Sequence, residues 1–223
     1  VLKKKWASYA FPDLDPYDAN IDLYERGMRM ERITPIFKQL KEKLIPLIKA
    51  IGNSSKVIDT KFLEGNFSVD KQKILGKIIS NDIGFDFNMG RMDESVHPFC
   101  GGGHPTDVRI TTRYRSDNFI ESLYGVIHET GHGLYEQGRM FGFHDLHVSE
   151  PLTMAIHESQ SLFWERMIAQ SKIFCDRYVD KFSEIFPDNL NGVSSSKLYS
   201  AINNCHPSFI RVEADEVTYP MHI

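Results

Sequence analysis

The sequence predicts a mainly α-helical protein with one small antiparallel β-sheet, and three patterns carry that prediction. Apolar residues recur at helical spacing over residues 33–51 and 69–80. Polar and apolar residues alternate only between 85 and 115, and helical spacing returns from Asp117 onward. The 223 residues, 41% hydrophobic and 25% charged, can bury a sizeable core without a disulfide or a metal to help them fold. No break in composition divides the chain, so we expect one domain: a helical part over 1–84, a hairpin region over 85–115 and further helices over 116–223.

Taken in order, Thr34-Pro35 reads as a helix start, a hydroxyl cap followed by proline at the first helical position. Apolar residues at 33, 36, 37, 40, 44, 47, 48 and 51 then form a stripe expected to be core, with Pro46 kinking or dividing the helix and Gly52 ending it. A second helix spans 69–80, beginning near Ser68. Phe85 to Met89 and Val108 to Tyr114 alternate as a pair of strands, and Phe99-Cys100-Gly101-Gly102-Gly103-His104-Pro105 between them reads as a long, mobile tip. Helices follow at about 118–136, 151–171, 172–184, 194–203 and 208–222. The last reaches the final residue in apolar and aromatic side chains, so we expect the chain to be a piece of a longer protein.

Composition also excludes classes of function. A net charge of −4 argues against nucleic acid as the main partner. No apolar run has the length of a membrane span, and no signal-peptide core is present. Three scattered cysteines, Cys100, Cys175 and Cys205, make no disulfide framework and favour a reducing compartment. Histidine is the residue in excess: seven of the nine fall between residues 97 and 157.

Within that stretch lies His128-Glu129-Thr130-Gly131-His132, an HExxH pattern. On a helix, residues i and i+4 share a face, so both imidazoles reach one ion, and zinc suits them. Glu129 then serves as general base toward a water activated by the ion. Asp117 or Asn118 caps this helix, and Phe119, Leu123, Val126 and Ile127 form its buried stripe. A third ligand is needed. An extended pattern with a third histidine is excluded, because Tyr135 and Gly138 occupy its glycine and histidine positions. Glu150, Glu158, Glu165, His144 and His147 remain. Glu158 is favoured, since it sits on the amphipathic helix carrying Ile156-His157-Glu158-Ser159-Gln160. Glu165 points past the ion, two turns further along; Glu150 caps the helix start; His144 and His147 lie in a loop suited to substrate.

Five motifs in order make the chain resemble the carboxypeptidase Taq family of zinc metallocarboxypeptidases: His97-Pro98-Phe99; Asp107-x-Arg109-x-Thr111; His128-Glu129-x-x-His132; His157-Glu158-Ser159-Gln160; and Ile210-Arg211-x-x-Ala214-Asp215. The resemblance implies a helical metallopeptidase fold around a deep groove, with the small sheet beside the HExxH helix. It implies a divalent metal, zinc or else cobalt or another cation, on His128, His132 and Glu158, with Glu129 as the catalytic base. It implies release of single C-terminal residues from peptides with a free C-terminus by a cytoplasmic homodimer. His97, Asp107, Arg109, Thr111, His157, Gln160 and Arg211 are then expected to line the groove or support the ligands. The residues themselves allow a plain ion pair for Asp107 and Arg109. Asp215 can accept from the far nitrogen of a ligand histidine, and Tyr219 or His222 can donate to an oxyanion. The chain departs from the family in lacking its GxxQDxHW motif. Two alternatives therefore stand beside the carboxypeptidase: a short-peptide metalloendopeptidase, and a non-catalytic metal-binding or scaffold fragment.

Overall fold

The structure is a computed structural model that describes residues 1–139, 141–206 and 214–222. The chain divides into two compact units, one of Val1–Ser55, Leu152–Ile156 and Cys205–Ile223, the other of Lys56–Pro151 and His157–Asn204. The expected boundaries at 84 and 115 both fall inside the second unit.

The first unit holds α1 (Leu2–Ala10), α2 (Pro16–Asp22) and α3 (Met30–Gly52). Asp15 caps α2 by accepting from the Tyr17 N–H at 2.8 Å, with Pro16 at the first helical position. From within α2, the Asp18 carboxylate accepts from the Met30 N–H at 2.7 Å. That bond starts α3 four residues before the expected Thr34, and both Pro35 and Pro46 lie inside the helix. Each proline removes one backbone bond, and a helix of 23 residues retains enough others to continue through them. The apolar stripe is covered only in part: Ile33, Leu40, Leu44, Ile48 and Ile51 are half-buried, Ile36, Phe37 and Leu47 are exposed, and none of α3 is fully buried. The helix expected over 208–222 is not formed where the chain is described. Asp215 accepts from the Val217 and Thr218 N–H groups, both at 2.9 Å, and holds a turn that competes with helix; a single 3-10 turn follows over Tyr219–His222. Residues 207–213 lie outside the described residues.

The second unit begins with α4 (Val69–Asp82) and three strands, β1 (Gly90–Glu94), β2 (Cys100–His104) and β3 (Asp107–Thr112). After them come α5 (Phe119–Gln137), α6 (Met154–Leu162, of which the part from His157 belongs here), a π-helical stretch over Phe163–Ile168, α7 (Lys172–Ile185), α8 (Pro187–Leu190) and α9 (Ser195–Ile202).

The fold is mainly helical with a small sheet, as the sequence predicts, but the sheet is mixed. Its order is β1-β3-β2; β2 runs antiparallel to β3, whereas β1 runs parallel to it, with Arg91 opposite Arg109 and Met92 opposite Ile110. Phe85 to Met89 is not a strand. Phe85 is buried with Val108 and Ile110, leaving the pairing to the residues after it. The glycines expected as a mobile tip form β2. Gly102 has φ +142°, and a Cβ there would strike the carbonyl oxygen of Asp107.

The main core packs α4, α5 and α7 through Leu75, Ile79, Phe119, Leu123, Ile127, Tyr178 and Phe182. The Phe119 ring packs at a tilt 4.7 Å from Phe67 and 5.1 Å from Phe186, and each such buried ring contributes roughly 2–3 kcal/mol of burial. Two buried polar pairs join α4 to α5: the Ser122 hydroxyl donates to Gln72 at 2.5 Å, and Ser80 and Thr130 share a bond of 2.9 Å. They fix the rotation of α5, which positions the site. Among the described residues no helix is long and apolar enough to cross a membrane.

Candidate metal centre

Asn118 caps α5, accepting from the Glu121 N–H at 3.2 Å. Phe119, Leu123, Val126, Ile127 and Thr130 are buried on one side of the helix. With that side fixed, His128 and His132 emerge together on another, half-buried, their rings 4.9 Å apart.

Gly131 lets the ligand-bearing part of α6 approach. A Cβ at this position would stand 2.7 Å from the Cα of Ser161 and 2.8 Å from the Gln160 carbonyl oxygen, so only glycine admits the neighbouring backbone. The approach brings in Glu158. Its carboxylate oxygens lie 3.9 Å from His128 Nε2 and 3.5 Å from His132 Nε2. Ligand atoms of these three residues all fall within 4.8 Å of one another. Donors bound to one tetrahedral ion at about 2.0–2.1 Å stand roughly 3.3 Å apart, so the three side chains fit a small divalent cation.

Both imidazoles present Nε2 to Glu158 and turn Nδ1 outward. His128 Nδ1 lies 2.7 Å from Glu165 Oε2, and the other Glu165 oxygen pairs with Arg166 Nε at 2.9 Å. Glu165 reaches this position from the π-helical stretch, where the Ala169 N–H donates to the Trp164 carbonyl five residues back. The wider turn changes the register after Leu162, so Glu165 meets His128 instead of passing beyond it. His132 Nδ1 lies 2.6 Å from His157 Nδ1.

Glu129, between the histidines, is buried, and its Oε2 has no hydrogen-bond partner among the described residues. Burial pushes its carboxyl up to about 7, with the charges of Glu158 and Glu165 adding to the rise against the pull of His128. An unpartnered buried carboxylate oxygen is costly unless water or a cation meets it, which agrees with the donor set beside it. Burial draws His128 down, but the Glu165 bond and the charges of Glu129 and Glu158 outweigh it and hold the imidazole above its ordinary value.

The other expected residues are placed as follows. Asp107 and Arg109 form a two-bonded ion pair at 2.9 and 2.8 Å on the exposed face of β3. Thr111 is buried instead: its hydroxyl accepts from the Phe99 N–H at 3.0 Å, which joins the His97-Pro98-Phe99 segment to β3. His97 is exposed. Gln160 lines a cleft of about 590 Å³ with Leu134, Tyr135, Arg139, Phe143 and Trp164. Glu150 does not cap α6; the Thr153 hydroxyl does so at 3.2 Å, and Glu150 pairs with His147 at 2.9 Å. His144 pairs with Asp145 and meets His104 edge to face, with ring centres 4.4 Å apart. Asp215, expected to support a ligand histidine, accepts backbone N–H bonds from His206, Val217 and Thr218 in its own unit. Glu165 is what His128 meets. Tyr219 is half-buried in the first unit, and Arg211 and the side chain of His222 lie outside the described residues. Sequence reasoning missed Glu136, although its place four residues after His132 is a signal that helical spacing gives.

Comparison with known proteins settles the family. The profile of the carboxypeptidase Taq (M32) metallopeptidases matches residues 1–223. The chain belongs to that family. It is 42% identical over 222 residues to Carboxypeptidase 1 of Bacillus subtilis, covering 100% of this chain and 44% of that protein. To Thermostable carboxypeptidase 1 of Thermus thermophilus it is 41% identical over 207 residues, 93% of this chain and 40% of the relative. The solved M32 carboxypeptidase of Deinococcus radiodurans superposes with a TM-score of 0.95 at 36% identity, over 99% of this chain and 44% of that one. Metallocarboxypeptidase 1 of Trypanosoma cruzi gives 0.91 at 36% identity, over 99% and 46%. The chain therefore spans less than half the length of the M32 relatives it matches. As metallopeptidases, the M32 proteins imply a divalent metal, and His128, His132 and Glu158 form a group able to hold one.

Proposed function

We propose that this chain carries the metal site and general base of a zinc-dependent metallocarboxypeptidase that removes single C-terminal residues from peptides. The convergence of His128 Nε2, His132 Nε2 and the Glu158 carboxylate carries the reading. Two imidazoles and a carboxylate, with one position left for water, are the donor set of hydrolytic zinc sites. The names of the Bacillus subtilis and Thermus thermophilus relatives agree with it.

Bound there, the cation supplies Lewis acidity, which polarises the scissile carbonyl and lowers the pKa of water. Glu129 takes the proton of the attacking water at Oε2 and returns it to the departing amine. Glu165 holds the plane and tautomer of His128 through Nδ1. Following the family's motif series, we assign His97, Asp107 and Arg109 to the groove walls, together with Gln160, which lines the cleft beside α5. Arg109 pairs with Asp107 in the free chain, and its guanidinium is of the kind that binds a peptide's terminal carboxylate in the same two-bonded way. The same reading makes the whole protein a cytosolic homodimer, which sedimentation velocity of the full-length protein checks.

The test uses the full-length protein and a pair of peptides that differ only in C-terminal amidation. A carboxypeptidase cleaves the free acid and rejects the amide. Equal cleavage of both contradicts the reading and leaves an endopeptidase; elemental analysis that finds no stoichiometric metal leaves a scaffold.

A further inference from the structure

Behind His132 three polar side chains stand in line. His157 Nδ1 is 2.6 Å from His132 Nδ1, and His157 Nε2 is 2.8 Å from Glu136 Oε1. The second oxygen of Glu136 accepts from Arg139 at 2.9 Å, and Arg139 Nε donates to the Ser149 carbonyl at 2.6 Å. The His157 ring lies between two others, 4.6 Å from His132 and 5.0 Å from Tyr135. Its side chain is 21% exposed, and those of Glu136 and Arg139 are 18% and 16% exposed, so water competes little with these bonds.

Proton counting orders the line. Two ring nitrogens this close share one proton, one of them donating and the other accepting. A neutral His132 that offers the Nε2 lone pair to a cation carries its proton on Nδ1, so it donates to His157 Nδ1. His157 then carries its own proton on Nε2 and donates to Glu136. The His157 bond and the Arg139 guanidinium hold Glu136 below the usual carboxylate range against the effect of burial, so its carboxylate is a pure acceptor.

We propose that Glu136 is a positioning residue for His132, acting through His157 to fix the tautomer and ring plane of that ligand. The proposal rests on the metal-centre reading. His128 receives its carboxylate directly from Glu165, whereas His132 receives one at a distance of one imidazole. The line also ties the two ligand-bearing helices together, since Glu136 follows His132 on α5 and His157 precedes Glu158 on α6.

Zinc titration of the full-length protein tests this, with the variants E136A, E136Q, H157A and the double variant E136A/H157A. Long-range ¹H–¹⁵N spectra of the zinc-loaded wild type give the imidazole tautomers. E136A is expected to weaken zinc binding about tenfold. E136Q, whose amide oxygen still accepts from Nε2–H, restores most of that loss, and E136A adds nothing in the H157A background. His157 should show the Nε2–H tautomer, a readout that does not depend on any variant folding. Wild-type affinity in E136A, additive losses in the double variant, or an Nδ1–H tautomer at His157 overturns the relay while leaving the metal site standing. A wild type that binds no zinc overturns both.

Discussion

Gly131 and Ser161 stand so close that a Cβ on the first would lie 2.7 Å from the Cα of the second. Within the HExxH pattern this glycine does for packing what the histidines do for chemistry. It lets the backbone around Ser161 come near enough for Glu158 to face both imidazoles. The replacement G131A should therefore separate the helices. We expect a stability loss of about 1–3 kcal/mol from overpacking, with zinc affinity reduced tenfold or more. Thermal unfolding and zinc titration measure the two effects; unchanged affinity would show that the close contact is not needed.

Glu165 accepts from His128 at 2.7 Å and is not among the three residues that could hold an ion together. E165A should lower zinc affinity by about 10–100-fold while E165Q, still able to accept from Nδ1–H, loses less. E158A should lose more than either, because it removes a ligand. Competition with a chromophoric chelator ranks the three, and an E165A loss as large as that of E158A would make Glu165 a ligand itself.

Removing the proposed base separates binding from turnover. E129Q keeps the ligand set intact, so zinc should bind to it as to the wild type, while hydrolysis by the full-length protein falls by several orders of magnitude. Undiminished cleavage would remove Glu129 from the mechanism.

Asp215 gives a pH-dependent test in the first unit. Burial raises its carboxyl, but backbone bonds from Thr218, His206 and Val217, together with Cys205, outweigh burial and hold it below 3.8. A depressed pKa in the folded state contributes stability that is present above the unfolded value and is lost as pH falls through the folded one. The stability advantage of the wild type over D215N should be full above about pH 5 and shrink as the pH is lowered below 4. A gap between the two melting curves that is constant from pH 3 to 7 would assign the effect to shape and not to charge.

The site was more legible in the sequence than its surroundings were. His128, Glu129 and His132 are fixed by helical spacing, and Glu158 by its position on an amphipathic helix; the structure brings the three ligand candidates together. The start of α5 was legible because Asp117-Asn118 offers a strong cap, and Asn118 is the residue that supplies it. The role of Glu165 was not, because a π-helical turn has no sequence signature and shifts every later residue relative to α-helical spacing. The sheet order was hidden too: a strand's alternation does not say whether its neighbour runs parallel. On α3, amphipathic spacing predicted burial, but periodicity reports only that a face is apolar and not that enough structure exists to cover it.

Diffraction data collected at the zinc absorption edge from crystals of the zinc-loaded chain test the central claim most directly. The account predicts one anomalous peak bonded at about 2.0–2.2 Å to His128 Nε2, His132 Nε2 and a Glu158 oxygen, with Glu165 on the outer nitrogen of His128. A peak elsewhere, or Glu158 turned away from the two imidazoles in the loaded protein, would contradict it.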